Sequence, residues 1–209
     1  MIRPARFRRL ALLAASTTVI TGGVLLPTSA FAAPSTPPAA ATAAVADAAA
    51  HWTQTTDDPS GVTAELPGDA QMQKCTVNGI QGRAYQVATD YGAIGFVVYD
   101  APGGGGRWDL RGSLKNALDN YNKGSRSTDE RLTAHDVRDS TTDAGQPVVD
   151  AALSARDGTA GHTRFVDLGD HMVQILAIGT KDTRKTMDAD YRQFLSSLQL
   201  PSGTTTRSL

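Results

Sequence analysis

The chain has 209 residues but only one cysteine, Cys75, so no disulfide can form within it. Exported domains stapled by several disulfides are therefore excluded, and the fold must depend on an ordinary hydrophobic core. About 150 residues are enough for one such core. We interpret Cys75 as a small, half-buried strand residue; the alternative is a reactive thiol or an intermolecular bridge.

The sequence also lacks the common motifs of catalysis and cofactor binding. It has no G-x-S-x-G nucleophile elbow, no H-E-x-x-H motif and no paired cysteines at metal-binding spacing. The glycines at 103–106 lack the Gly-Lys-Ser/Thr ending of a phosphate-binding loop, which favours a flexible connector. We therefore predict no catalytic residues, no metal ligands and no cofactor. A hydrolase whose site is assembled only by the fold remains the alternative, because triads are recognised by geometry.

Histidine is scarce as well, with four residues in the chain. His162 and His171 fall on consecutive predicted strands joined by a tight turn at residues 169–170. They are then separated by about six residues of strand, roughly 20 Å at 3.3 Å per residue. The two histidines cannot share a metal ion within one chain.

Positive charge is concentrated at the start of the chain, where four arginines precede an apolar run. The run from Leu10 to Leu26 is followed by small residues at Ala30 and Ala32. This pattern predicts a secretory signal peptide over residues 1–32, cleaved after Ala32. Hydroxyl and glycine residues interrupt the run, whereas a membrane-spanning helix needs about 20 mostly apolar residues. We expect a secreted, extracellular protein; the twin arginines leave the export route open.

Removing residues 1–32 leaves a mildly acidic chain. The remaining chain carries 16 Lys and Arg against 21 Asp and Glu, a balance of −5. Nucleic-acid binding requires a basic surface that neutralises phosphates, so this class of function is disfavoured. Binding to anionic lipid through charge is disfavoured for the same reason. We expect no stable membrane anchor after cleavage, and a monomer.

Composition divides the chain into four parts. After the signal peptide, residues 33–50 are rich in proline and alanine, which predicts a disordered linker that cannot bury a core. A single folded domain is predicted over residues 51–200. The Ser/Thr-rich residues 201–209 are predicted to form a flexible tail.

Within the domain, alternating apolar side chains predict a series of strands. Asn78-Gly79 lies between two extended runs and indicates a tight hairpin, because both central positions of its turn need a positive φ. Two further Asp/Gly pairs, at 157–158 and 169–170, favour antiparallel neighbours. The predicted strands cover residues 62–66, 71–77, 80–89, 94–99, 131–139, 147–155, 162–168 and 171–178.

Apolar residues at three- and four-residue spacing predict two helices. One spans residues 110–122 with Asp109 as its N-cap, and the other spans about 184–198. The strand at 171–178 is apolar on both faces, so both must be covered. We therefore expect an α+β domain: one antiparallel sheet of about six to seven strands, with helices on both faces.

Particular residues over roughly 60–200 accompany this order of elements: GVTAELPG at 61–68, Tyr85, GFVVYD at 95–100, the helix 110–122, GQP at 145–147, TRF at 163–165, and Tyr191, Phe194 and Ser197. With them, the chain resembles the Mog1/PsbP-like α/β/α sandwich family. The resemblance implies an α+β sandwich, but the fold does not imply one function, since such domains serve as photosystem II extrinsic subunits, Ran-binding nuclear factors and envelope lipoproteins. No partner-binding residue of the family can be matched to this sequence.

Two tryptophans, Trp52 and Trp108, are placed outside the predicted strands. Trp108 follows the glycine-rich loop, with Arg107 before it and Arg111 soon after. Aromatic and arginine side chains dominate many binding surfaces, so these three residues form a candidate contact patch. The alternative is that Trp108 only fastens the start of the helix to the sheet. We expect an exported, non-catalytic binding domain whose partner is an envelope or secreted protein, or a small amphiphile.

Overall fold

The computed structural model describes residues 51–103 and 105–201. The predicted signal peptide with its cleavage site, the linker at 33–50 and most of the predicted tail lie outside these residues. Two short 3₁₀ turns, at 128–130 and 181–183, accompany the main elements. These elements are β1 Trp52–Asp57, β2 Val62–Pro67, β3 Gln71–Val77, β4 Ile80–Ala88, β5 Ala93–Asp100, α1 Leu110–Lys123, β6 Thr133–Thr141, β7 Pro147–Ser154, β8 Thr159–Asp167, β9 His171–Thr180 and α2 Arg184–Ser197.

Seven of the strands form one antiparallel sheet in the order β3-β4-β5-β9-β8-β7-β6. The β3–β4 hairpin turns at Asn78 and Gly79, whose φ angles are 51° and 83°, as the sequence predicts. The long crossover from β5 to β6 carries α1, and β9 closes the centre of the sheet between β5 and β8. The predicted α+β class and strand number are confirmed.

The two faces of the sheet are covered by different elements. On one face, α1 packs Leu110 and Leu114 against a cluster that includes Val97 and Phe165. On the other face, α2 and the β1–β2 hairpin cover a second cluster around Phe96. Odd-numbered residues of β5 face α1 and even-numbered residues face α2, as the strand period of two requires. Helices on both faces therefore follow from the apolar character of both sides of β5 and β9.

The prediction that Trp52 lies outside the strands is wrong. Trp52 begins β1, which pairs with β2 in a separate two-stranded sheet. Sequence reasoning missed β1 because its inward side chains are polar: Thr53, Thr55 and the fully buried Asp57. A strand whose buried side is polar shows no hydrophobic alternation.

Candidate functional site

The sequence-predicted patch begins in the loop after β5, where Trp108 is held against the sheet. The indole Nε1 donates to the Gly169 carbonyl oxygen at 3.0 Å, and the Trp108 backbone N–H donates to the Asp167 carboxylate at 3.1 Å. The half-buried ring packs beside the cluster under α1. Asp109 then accepts from the Gly112 N–H at 2.9 Å and caps α1 as predicted. These bonds fix the loop against the turn between β8 and β9.

The two arginines of the patch differ in their surroundings. Arg111 forms a bidentate ion pair with Asp139 of β6, and both side chains are exposed. This contact joins the start of α1 to the edge of the sheet. Arg107 is exposed, and no ion pair or hydrogen bond engages its side chain among the described residues. Arg107 is therefore the cation of this patch that a partner can reach at no cost to an internal contact.

A second polar cluster, which the sequence analysis missed, is centred on Arg83 of β4. Its guanidinium donates to Asp57 at 2.6 and 3.1 Å and to Asp100 at 2.7 and 2.8 Å. Asp57 also accepts from the Tyr85 hydroxyl at 2.9 Å and the Ser60 hydroxyl at 2.6 Å. The cluster connects the end of β1 to β4 and to the end of β5.

The pKa of Asp57 shows how burial and hydrogen bonding compete within this cluster. Burial by itself would raise the pKa of the carboxyl group. The hydrogen bonds from Arg83, Ser60 and Tyr85, with the arginine charge, outweigh burial and hold the pKa of Asp57 below its ordinary value. The ion pair therefore stabilises the fold at neutral pH, and this contribution is lost as pH falls through the pKa of the folded state.

The sequence does contain a signal for this cluster. Arg83 shares the α2-facing side of β4 with Tyr85 and Val87, so an arginine lies next to two buried side chains of the core. A buried cation requires a carboxylate partner. What the sequence alone does not show is that Asp57 and Asp100, 26 and 17 residues away, supply it.

A third cluster lies on the same face, where α2 crosses β8. His162 Nε2 lies 2.8 Å from the Asp188 carboxylate, and its ring stacks on Tyr191 with centroids 5.1 Å apart. Next to it, Arg164 donates to Asp150 at 2.7 Å. The Tyr191 hydroxyl is buried and has no hydrogen-bond partner in the described part of the chain. Burial raises the pKa of Tyr191 above its ordinary value, so the hydroxyl stays protonated.

The histidines are separated as the strand spacing predicts. His162 pairs with Ala177 in the register of β8 and β9, while His171 begins β9 and lies 3.4 Å from Asp100. Within residues 51–103 and 105–201, no group of three or more His, Cys, Asp or Glu could hold a metal ion.

Cys75 is not activated as a nucleophile, and the polar cleft beside α2 holds serines without a histidine. Cys75 is buried in β3, 6% exposed, and burial raises the pKa of its thiol to about 11. The thiol is therefore protonated at neutral pH, which fits the interpretation of Cys75 as a strand residue. A polar cleft of about 200 Å³ between the β1–β2 hairpin and the end of α2 holds Ser196, Ser197 and Glu65, but no histidine.

No helix among the described residues is long and apolar enough to cross a membrane.

The sheet order, the two covered faces and the closing helix together define a PsbP-like α+β fold. The solution structure of cyanobacterial PsbP (CyanoP) from Synechocystis sp. PCC 6803 is similar to this chain. Its TM-score is 0.53 at 12% sequence identity, over 73% of this chain and 94% of that one. No protein-family model and no curated protein sequence matches the chain.

The similarity to CyanoP confirms the PsbP-like fold that the sequence resemblance implies. At 12% identity the similarity shows the fold alone. The roles of individual residues must be argued from this chain.

Proposed function

We propose that this protein is an exported, non-catalytic binding domain that contacts an envelope or secreted protein through the patch of Arg107, Trp108 and Arg111. The observation that carries the proposal is the loop in which two hydrogen bonds hold Trp108, while the exposed Arg107 makes no ion pair or hydrogen bond with the described residues. A preorganised loop loses little conformational entropy on binding. The described residues supply no observation in favour of the hydrolase alternative.

Reversing the charge of Arg107 is expected to weaken partner capture at least tenfold. Arginine and tryptophan side chains are the usual energetic centres of such surfaces, and Arg107 has no ion pair or hydrogen bond to lose among the residues that the structure describes. The measurement compares capture from culture fluid and envelope fractions by the wild-type chain and by Arg107→Glu, with the partner identified by mass spectrometry and its affinity then measured directly.

The matched control is Arg156→Glu, another exposed arginine at the opposite end of the sheet, in the turn between β7 and β8. The two variants carry the same change in net charge, so nonspecific electrostatic effects are shared. If Arg107→Glu and Arg156→Glu bind the partner equally well, the patch is not the binding surface. Binding of detergent micelles instead of a protein would favour the small amphiphile as partner.

The export part of the proposal is tested by intact-mass analysis of culture fluid and membrane fractions. We expect a soluble chain that begins at Ala33, because the A-x-A sequence at Ala30 and Ala32 is a signal-peptidase site. The same spectrum reports the oxidation state of Cys75. A chain that retains residues 1–32 in the membrane fraction would show that the protein is anchored and not secreted.

A further inference from the structure

The polar cleft between the β1–β2 hairpin and the end of α2 has a volume of about 200 Å³. Since a water molecule takes about 30 Å³ of the liquid, the cleft has room for about six waters. Sites for drug-sized ligands begin at about 300 Å³, so this one is suited to a molecule as small as a single sugar ring. Its polar lining residues are Gln54, Thr63, Glu65, Ser196, Ser197 and Gln199.

The two walls of the cleft are joined by hydrogen bonds. Thr63 of β2 and Gln199 exchange two backbone bonds, at 3.0 and 2.8 Å. The Glu65 backbone N–H also donates to the Ser197 hydroxyl, at 2.9 Å. These bonds fix the spacing between the hairpin and the end of α2. The cleft is therefore formed before any ligand enters, which lowers the entropic cost of binding.

The two serines of the cleft have already used their hydroxyl protons. Ser196 donates to the Gln193 carbonyl oxygen at 2.7 Å, and Ser197 donates to the Phe194 carbonyl oxygen at 2.8 Å. A hydroxyl group has one proton and two acceptor lone pairs. Toward a ligand, both serine oxygens are therefore acceptors that require a donor.

The remaining polar groups of the cleft carry negative charge and have no internal partner. Gln54 lies opposite Glu65 in the register of the hairpin, so both side chains leave it on the same face. Among the described residues, no ion pair or hydrogen bond engages the side chains of Gln54, Glu65 or Gln199. The described lining holds no lysine or arginine. The cleft therefore favours a ligand that donates hydrogen bonds and carries positive charge, and disfavours anions and apolar molecules.

We propose that the polar cleft binds one ring of an amino sugar. The ammonium group of the sugar pairs with Glu65, and its hydroxyl groups donate to the serine oxygens. Hydroxyl groups also accept, so they match the amides of Gln54 and Gln199, which both donate and accept. This binding goes beyond the proposed contact with a protein and uses a different surface from the patch of Arg107, Trp108 and Arg111, so either proposal can fail without the other.

Three sugars with the same ring but different charge test the proposal: glucosamine, glucose and glucuronate, each titrated at pH 6 into the full chain. Backbone amide chemical shifts report both the affinity and the place of binding. We expect glucosamine to bind about fivefold more tightly than glucose, because hydrogen bonds to charged groups are the stronger ones. Glucuronate should cause no shift, and the shifts should be confined to β2 and residues 196–199. Equal binding of the three sugars, or shifts elsewhere in the domain, would overturn the proposal.

The variant Glu65→Gln removes the charge of the cleft and keeps its shape. We expect this variant to bind glucosamine no more tightly than glucose. The matched control is Asp58→Asn, which loses the same charge from an exposed residue in the turn of the same hairpin and should keep the preference for glucosamine. Both carboxylates are exposed, so unchanged melting temperatures should show that both variants are folded. A Glu65→Gln chain that still prefers glucosamine, or an Asp58→Asn chain that does not, would show that the cleft is not the site.

Discussion

Arg83→Met is expected to destabilise the domain by about 3–5 kcal/mol, one of the largest effects of any single substitution outside the apolar core. The reason is Asp57, which is fully buried and would lose the guanidinium that pairs with its carboxylate. The hydroxyl groups of Ser60 and Tyr85 donate hydrogen bonds but carry no charge. Urea unfolding at pH 7, followed by circular dichroism, measures the change.

The matched control is Arg111→Met. Arg111 and Arg83 both make bidentate ion pairs with aspartate, but Arg111 and Asp139 are more than half exposed, 57% and 60%. Exposed pairs add little to stability, so no measurable loss is expected. The double variant Arg83→Met/Asp57→Asn should recover part of the lost stability, because the buried charge is then gone. Equal effects of Arg83→Met and Arg111→Met would contradict this account.

The Arg83 cluster also marks the limit of sequence-based inference for this chain. The β3–β4 turn, the cap at Asp109 and both helices follow from local patterns, because turn chemistry and helical spacing act over a few residues. The Arg83 cluster depends instead on where β1 lies, because β1 pairs with β2 in a separate sheet and yet brings Asp57 to Arg83 of β4, 26 residues away. Local patterns hold no record of such a placement.

The same distinction applies to the candidate patch. Composition and spacing single out Arg107, Trp108 and Arg111 as a group, and they do lie in one loop and the first turn of α1. Their different surroundings could not be predicted, because Asp139 and Gly169 reach them from β6 and from the β8–β9 turn. In the fold, Arg111 is paired with Asp139 and the indole N–H of Trp108 is bonded to Gly169, whereas Arg107 is exposed to a partner.

Phe194→Ala is expected to cost about 3–5 kcal/mol, the usual penalty for removing a buried aromatic ring. Phe194 is fully buried in α2 and lies 6.2 Å, centroid to centroid, from Phe96 of β5. The cavity left behind cannot collapse easily, because the sheet lies on one side and the β1–β2 hairpin on the other. Gln193→Ala, an exposed change at the preceding residue, should alter stability by no more than about 0.5 kcal/mol.

The loss of stability in Phe194→Ala is expected to affect β2 as well as α2. Amide hydrogen exchange distinguishes this from local fraying of α2. Thr63 and Gln199 exchange two backbone hydrogen bonds, at 3.0 and 2.8 Å, and the Glu65 N–H donates to the Ser197 hydroxyl at 2.9 Å. The hairpin is therefore attached to the end of α2 as well as to Arg83. In Phe194→Ala the amides of β2 should lose protection together with those of α2, while the amides of β8 remain protected. If β2 kept its full protection while α2 opened, the hairpin would be held by the Arg83 cluster alone.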